Sequence, residues 1–438
     1  MPAKLPLLSS AFPDSPIACW RGRAVSRATF LSDVACIARQ LPSMRFILNL
    51  CEDRYRFLAA FAAVGVNGQT NLLPSSRAIL HLRQLAEDYP DNRSITDDDI
   101  ERWLVSRNVD GAAAPIPDLP SDHLMAIAFT SGSTGRAKPN FKHWGELVSG
   151  AEQARQRFGF GAGQSVVVTV PSQHMYGLET SIMAPLLSGV CLHASRPFFP
   201  EDVRAALADT QPPRILVTTP VHLRAFIAAE LDWPEMAFLI SATAPLSSEL
   251  AAQTEQALGA PVLEIYGCTE AGSIASRRTL DGDHWRLYDG FQLSGDRLSG
   301  AHLPEPVLLN DLIEIVDADR FRLLGRREDL INLAGKRSSL AYLNHQINQI
   351  AGVVEGVFVL PDEVETTIQR LAAVVVAPGL SEQHLLAALA ERLDPVFLPR
   401  PLVRVDRLPR NETGKIMRET LLALINSGSA FTRVRHGF

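Results

Sequence analysis

Short continuous apolar runs alternate with amphipathic helical stretches along most of this chain, and that alternation narrows the fold more than any other feature. Arg45–Leu50, Met125–Phe129, Val166–Val170, Ile215–Thr218, Phe238–Ile240 and Val262–Ile265 read as strands. Phe30, Val34, Ile37 and Leu41 fall at helical spacing, Asp53–Val64 reads as an Ala-rich helix ended by Gly65, and Leu147, Val148, Ala151, Ala154 and Phe158 line one helical face. Strands without a polar side need cover above and below. The pattern therefore predicts an α/β fold of parallel-rich sheets covered by helices. Arg277–Pro306, rich in Gly, Asp and Ser, reads as irregular or hairpin-rich.

After Asn310 the pattern changes. Leu312–Val316 and Phe321–Leu324 flank Asp317-Ala318-Asp319, a hairpin signal. Val357–Leu360, a helix from Ser381 to Leu393 capped by Ser381, and Leu402–Val405 suggest a small α+β unit. One core rarely grows past about 250–300 residues, so the 438 residues are expected to divide. The boundary falls at Arg326–Asp329, giving an N-terminal core domain, 1–327, and a C-terminal domain, 328–438.

Composition removes several classes. A net charge of −6 offers no basic footprint for nucleic acid. The five cysteines (Cys19, Cys36, Cys51, Cys191, Cys268) are odd in number and form no C-x-x-C pair, which argues against disulfides or zinc and for a reducing compartment. No apolar run follows a basic N-terminal patch, and none approaches the roughly 18 residues of a membrane span. A soluble cytoplasmic protein is expected, with a homodimer as an open option.

Four motifs carry chemistry. The strand ending at Phe129 runs into Thr130-Ser131-Gly132-Ser133-Thr134-Gly135-Arg136-Ala137-Lys138-Pro139, where glycines, hydroxyls, backbone N–H groups and a lysine can cradle a polyphosphate. No Walker A loop occurs. Tyr266-Gly267-Cys268-Thr269-Glu270 follows the strand at Val262–Ile265: a ring to stack on a base, a glycine for close approach, a carboxylate for Mg²⁺. Asp311 can accept from vicinal ribose hydroxyls, ahead of Gly325-Arg326-Arg327-Glu328-Asp329 and Gly335-Lys336-Arg337. Leu408-Pro409-Arg410-Asn411-Glu412-Thr413-Gly414-Lys415 sets a lysine on a loop before a helix. Alone, each is compatible with a solvated surface loop.

In this order, T-S-G-S-T-G, Y-G-x-T-E, D…G-R-x-[DE]-D and L-P-R-N-x-T-G-K resemble the ANL superfamily of adenylate-forming enzymes, which comprises acyl- and aryl-CoA synthetases, adenylation domains and luciferases. The resemblance implies that a carboxylate attacks the α-phosphate of ATP to give acyl-AMP and pyrophosphate, and that a thiol then displaces AMP. It assigns Thr130–Lys138 to the β- and γ-phosphates and Glu270 to Mg²⁺. Tyr266, Gly267, Thr269 and the turn Thr243-Ala244-Pro245 go to adenine, Asp311 and Arg326 to ribose, Arg337 to phosphate. Lys415 would bridge carboxylate and ATP, with Glu270, Thr134 and His174 as further catalytic residues. Glu328 would be the hinge of a mobile C-terminal domain, and Gly335 would border the thiol channel. Ala137, Pro139, Asn310 and Asn332 depart from the family pattern, yet no core catalytic group is lost.

Pro171-Ser172-Gln173-His174-Met175-Tyr176-Gly177 resembles the segment bordering the acyl pocket, with His174 as gate. Met175 stands where amino-acid-activating members carry an aspartate, and an unpaired buried ammonium is costly, so an α-amino acid is not expected. With Ala242 and Cys268, Met175 suggests an apolar pocket for an aryl or acyl acid. A hydroxybenzoate-like acid is favoured, because the chain is similar to short stand-alone ligases of aryl-polyene pigment pathways. Pro399–Phe438 holds eight basic residues against three acidic ones, which favours the phosphopantetheine arm of an acyl carrier protein as acceptor. Free CoA is the alternative; a nucleotide-binding member that stops at the adenylate or does not catalyse is a further one. Lys415→Ala is expected to lower acid-dependent ATP–pyrophosphate exchange about 10²–10³-fold, the usual cost of one preorganised donor; unchanged exchange would remove Lys415 from the chemistry.

Overall fold

The computed structural model describes residues 2–105, 115–131, 137–300, 302–326, 330–333, 336–361, 370–410 and 416–433. Contacts divide the chain into two compact units, one comprising 1–293, 298–307 and 318–320, the other 294–297, 308–317 and 321–438.

In the first unit β1 (Phe46–Asn49), helix α1 (Arg54–Val66), β2 (Thr70–Leu73), β3 (Asn92–Ile95), β4 (Leu124–Ser131) and β5 (Ala137–His143) follow in turn. They form a sheet of order β3-β1-β2-β4-β5, parallel except for the β4–β5 hairpin. Asp53 caps α1 by accepting from the Arg56 N–H at 2.9 Å. From Arg54 to Gly65 every residue of α1 is buried, as expected of an Ala-rich helix with no polar face. Strand β5 was not legible as a strand because Pro139 interrupts it. It lies at the sheet edge, where a residue without an N–H costs no ladder bond.

Helix α2 (Trp144–Phe158) leads into the second sheet. Its elements are β6 (Ser165–Val168), α3 (Met175–Leu178), β7 (Cys191–His193), β8 (Arg214–Thr218), β9 (Phe238–Ser241), α4 (Ser248–Leu258), β10 (Val262–Cys268), β11 (Gly272–Arg278) and β12 (Trp285–Leu287). These seven strands run in the order β12-β11-β10-β9-β8-β6-β7, parallel from β10 to β7, with β11 and β12 antiparallel additions, and the sheet continues beyond β7 into Ala18–Trp20 and Arg23–Val25. Val167, Leu216, Leu239 and Val262 from four strands pack against Leu223, Phe226, Leu250 and Leu258, the helical cover that apolar strands require. The stretch expected to be irregular or hairpin-rich, Arg277–Pro306, holds the short strands Trp285–Leu287, Phe291–Ser294 and Arg297–Gly300. Gly272–Arg278 carried no strand signal of its own, but its small residues let it lie flat and buried beside β10.

The second unit holds β13 (Asp311–Ile315), β14 (Arg320–Arg326), β15 (Leu330–Leu333), β16 (Lys336–Ser339), α5 (Leu340–Asn348), β17 (Glu355–Val359), β18 (Ala372–Val376), α6 (Glu382–Ala390), β19 (Leu402–Arg404) and α7 (Arg418–Arg433). The hairpin signal at Asp317–Asp319 is the turn between β13 and β14, and Ser381 caps α6 by accepting from the His384 N–H at 3.1 Å. Ile347, Phe358, Val375 and Leu389 join one apolar core. Three arginines of the basic C-terminal stretch are used inside this unit. Arg410 pairs with Glu355, Arg418 donates to Leu360 O at 2.8 Å and Arg404 to Ala377 O at 3.4 Å. That internal use weakens the case for an open basic docking patch, and with it the carrier-protein expectation.

One buried cation organises the second sheet. Arg54 is fully buried, and burial lowers its pKa to about 9. Its guanidinium donates to Val168 O (2.6 Å), Val170 O (2.7 Å), Ser172 Oγ (3.0 Å) and Ser195 O (3.2 Å), so it ties the end of β6 to the segment leading into α3. Arg54→Met would leave these acceptors without the guanidinium. Ser172 keeps Ser181 Oγ as a partner at 3.0 Å; at about 1–3 kcal/mol for each buried group left unsatisfied, the three carbonyls imply a loss of at least about 3 kcal/mol, measured by urea unfolding. A loss under about 1 kcal/mol would show that water replaces the guanidinium.

Candidate functional site

Parallel strands deliver the loops after their carboxyl ends to one edge of a sheet, where α/β proteins bind ligands. In the second sheet those segments are 169–174 after β6, 219 after β8, 242–247 after β9 and 269–271 after β10. They hold the start of the acyl-pocket segment, the adenine turn and the end of the Tyr266–Glu270 motif, so the fold brings together what the sequence separates by about a hundred residues.

His174 is half-buried at the N-cap of α3, followed on that helix by Met175, Tyr176 and Gly177. Tyr176 anchors the helix. Its hydroxyl lies 2.9 Å from Ile240 O and 3.1 Å from Thr218 O, and burial pushes its pKa well above the usual value, so it stays a neutral donor. Ala242 is buried, and Ala244 and Pro245 become progressively exposed. Thr243 holds φ of 80°, a left-handed conformation that a β-branched residue adopts only under constraint. Strain of this kind gathers where backbone must face a ligand.

Tyr266 sits at an irregularity in the β10–β11 register, where Gly267 follows. A β-carbon on Gly267 would overlap the carbonyl of Gly272, so glycine is required for the strands to cross this closely. The Tyr266 ring lies 5.7 Å from the Trp285 ring. Cys268, partly buried, has its thiol pushed up to about 11 by burial; it lines the site as a neutral apolar group. Thr269 and Glu270 follow, each half-exposed.

The phosphate-loop motif reaches the same carboxylate. Thr130 and Ser131 end β4, Lys138 is the second residue of β5, and Thr130 pairs in register with Lys138. Gly132, Ser133, Thr134 and Gly135 lie outside the described residues. Lys138 Nζ stands 3.3 Å from Glu270 Oε1, with 65% and 35% of the two side chains exposed, so the pair is open to an incoming polyphosphate. Among the described residues no group of three or more His, Cys, Asp or Glu could enclose a metal. One exposed carboxylate beside a phosphate loop suits Mg²⁺, which keeps water ligands and takes the rest from phosphates.

In the second unit Asp311 opens β13 directly opposite Arg326 at the end of β14, so the residues expected at the ribose are cross-strand neighbours. Arg337 on β16 pairs in register with Asn332. Glu328, Gly335 and Lys415 lie outside the described residues. Sequence reasoning missed the groups behind Glu270, namely Lys142, Glu179 and His302. One signal was available. Lys142 follows Lys138 by four residues, which in a strand means the same face.

Gly267→Ala should force β10 and β11 apart and displace Glu270. Misplacement on the ångström scale costs about 10²-fold, so pyrophosphate exchange should fall by that order, whereas activity within about twofold of wild type would refute the close-crossing requirement.

Comparison with known proteins agrees with this geometry. The family model described as AMP-binding enzyme matches residues 35–320, and that of the AMP-binding enzyme C-terminal domain matches 346–415. A 4-coumarate–CoA ligase from Halorhodospira halophila is 27% identical over 72% of this chain and 81% of its own length. A propionate–CoA ligase from Salmonella typhimurium is 24% identical over 85% and 72%. The structure of O-succinylbenzoate coenzyme A synthetase from Bacillus subtilis with ATP and magnesium superposes with a TM-score of 0.78 at 17% identity, covering 96% of this chain and 100% of that one. No helix among the described residues is long and apolar enough to cross a membrane. With both halves of the chain matched and the motif residues of the first unit converging on one sheet edge, the protein belongs to the AMP-binding enzyme family of the ANL adenylate-forming superfamily.

Proposed function

We propose that this protein activates a small carboxylic acid with ATP and Mg²⁺ as an acyl-adenylate and then transfers the acyl group to the thiol of coenzyme A. The observation that carries the reading is the Glu270 carboxylate, 3.3 Å from Lys138, at the carboxyl edge of parallel strands. In the first step a carboxylate oxygen of the acid attacks the α-phosphorus, the bond to the β-phosphate breaks, and pyrophosphate leaves. Lys138 and the backbone of the loop after Thr130 hold the departing phosphates, and Glu270 holds Mg²⁺, which neutralises charge developing on them. Tyr266 and the strained Thr243 turn position adenine, Asp311 and Arg326 the ribose, and Arg337 a phosphate.

Lys415, from the sequence resemblance, bridges the acid and the α-phosphate. Residues 1–327 form the adenylation core and 328–438 a mobile domain turning at Glu328, with Gly335 beside the thiol channel. In the second step the thiolate attacks the acyl carbon and AMP leaves.

Met175, Ala242 and the neutral Cys268 thiol suit an aryl or apolar acyl group, with His174 at its entrance. The relatives' names support an aryl or short acyl acid and coenzyme A as acceptor. Against the carrier-protein acceptor stands the internal use of Arg404, Arg410 and Arg418. With ATP, Mg²⁺ and the best acid from a panel of aryl and short acyl acids, coenzyme A should give the higher kcat/KM and holo carrier protein the lower. A carrier protein that is the better acceptor would overturn the assignment of acceptor while leaving acid activation intact.

A further inference from the structure

Strand β5 turns a polar face inward. Lys138, Asn140 and Lys142 alternate along it, and Asn140 and Lys142 are buried, whereas Phe141 on the opposite face is 53% exposed. An edge strand shaped only for stability would carry the reverse pattern, and breaches of the local rule concentrate at functional sites.

Lys142 commits its buried ammonium to a neutral acceptor. Its Nζ donates to the backbone carbonyl of Glu270 at 2.7 Å. The next residues are held as firmly. His302 Nε2 lies 3.2 Å from Ala271 O and, facing a carbonyl, is the protonated nitrogen. Gly272, at φ of 76°, leaves no room for a β-carbon beside Glu179 Oε1. The Ser273 N–H donates to Glu179 Oε1 at 3.0 Å, and the Ser273 hydroxyl donates to Oε2. Glu179 opens a π-helical turn, Glu179–Met183, that continues from α3; its carboxyl group is enclosed by protein although the residue keeps some exposed surface. Burial pushes the Lys142 ammonium below the ordinary lysine range, and the charges of Glu146 and Glu179 oppose that shift. Backbone positions 270, 271 and 273 are thus bonded from three separate parts of the chain, with Gly272 confined between them, while the Glu270 side chain faces Lys138.

We infer that Lys142 is a positioning residue for the metal-binding carboxylate: through the Glu270 carbonyl it sets where that side chain meets the magnesium and phosphates of bound ATP, with Glu179 as clamp on Ser273. The inference rests on the adenylation reading. AMP carries no magnesium and needs only the adenine and ribose contacts, so it separates positioning of the metal site from a general loss of structure.

Binding of Mg·ATP and of AMP to Lys142→Met and Lys142→Arg is measured by titration calorimetry, beside melting curves and the Mg²⁺ dependence of pyrophosphate exchange. Outer-shell partners of metal ligands are worth about 10–100-fold in affinity, so Lys142→Met should weaken Mg·ATP and raise the Mg²⁺ half-saturation by at least about tenfold, with AMP binding within about twofold of wild type. Lys142→Arg, which keeps a donor and a charge, should recover most of the loss. Unchanged Mg·ATP binding, or equal weakening of Mg·ATP and AMP, overturns the inference. Should Lys142→Met not fold, Glu179→Gln is read in the same way, with the same selective loss expected. A wild-type protein that exchanges no pyrophosphate with any acid defeats the functional reading instead, and the two calorimetric titrations still decide this one.

Discussion

All the proposed nucleotide and acid contacts of the first unit depend on one constraint, the common direction of strands β6, β8, β9 and β10. Because these strands run parallel, His174, Thr243 and Glu270 leave the sheet at the same edge. Reversing any one of them would send its loop to the opposite edge. Parallel order in turn requires strands that are apolar on both faces and helices on both sides. The Val167, Leu216, Leu239 and Val262 core and its helical cover are therefore a condition of the site as well as of stability.

Upon that scaffold the protein places buried polar groups where an apolar core would be simpler. Arg54 holds the carbonyls at the end of β6, Tyr176 bonds to the ends of β8 and β9, and Lys142 with Glu179 grips the turn after β10. Each takes a desolvation cost and returns a fixed backbone position at the foot of a functional loop. This division of labour suits nucleotidyl transfer, which depends on positioning and charge neutralisation more than on covalent help from the protein.

The apolar parallel strands were legible because nothing else explains runs such as Val166–Val170 and Ile215–Thr218, and the β13–β14 hairpin because Asp317-Ala318-Asp319 interrupts two apolar runs. Strands β5 and β11 were not. Pro139 and two lysines disguise an edge strand, and the Ser and Arg content of Gly272–Arg278 gives no strand signal until β10 is beside it. At the site the motifs singled out Glu270, Lys138 and Tyr266 because each lies at or near the end of a strand, and the fold sets Lys138 beside Glu270. The motifs were silent on Lys142, Glu179 and His302, whose roles come from tertiary contacts with one turn; the i, i+4 spacing of Lys138 and Lys142 along β5 was the one trace left in the chain. The basic surplus near the C-terminus is weaker evidence than its count suggests, for a related reason. Charge counted along a sequence does not reveal that Arg410 is paired with Glu355.

The central claim is that a carboxylate attacks the α-phosphate of ATP at the edge bearing Glu270 and Lys138. The most direct test is to incubate the protein with ATP, Mg²⁺, coenzyme A and an accepted acid carrying ¹⁸O in its carboxyl group, then to weigh the products by mass spectrometry. The account predicts one ¹⁸O in the phosphate of AMP and none in pyrophosphate. Label in inorganic phosphate with formation of ADP would mean attack at the γ-phosphate and would contradict it.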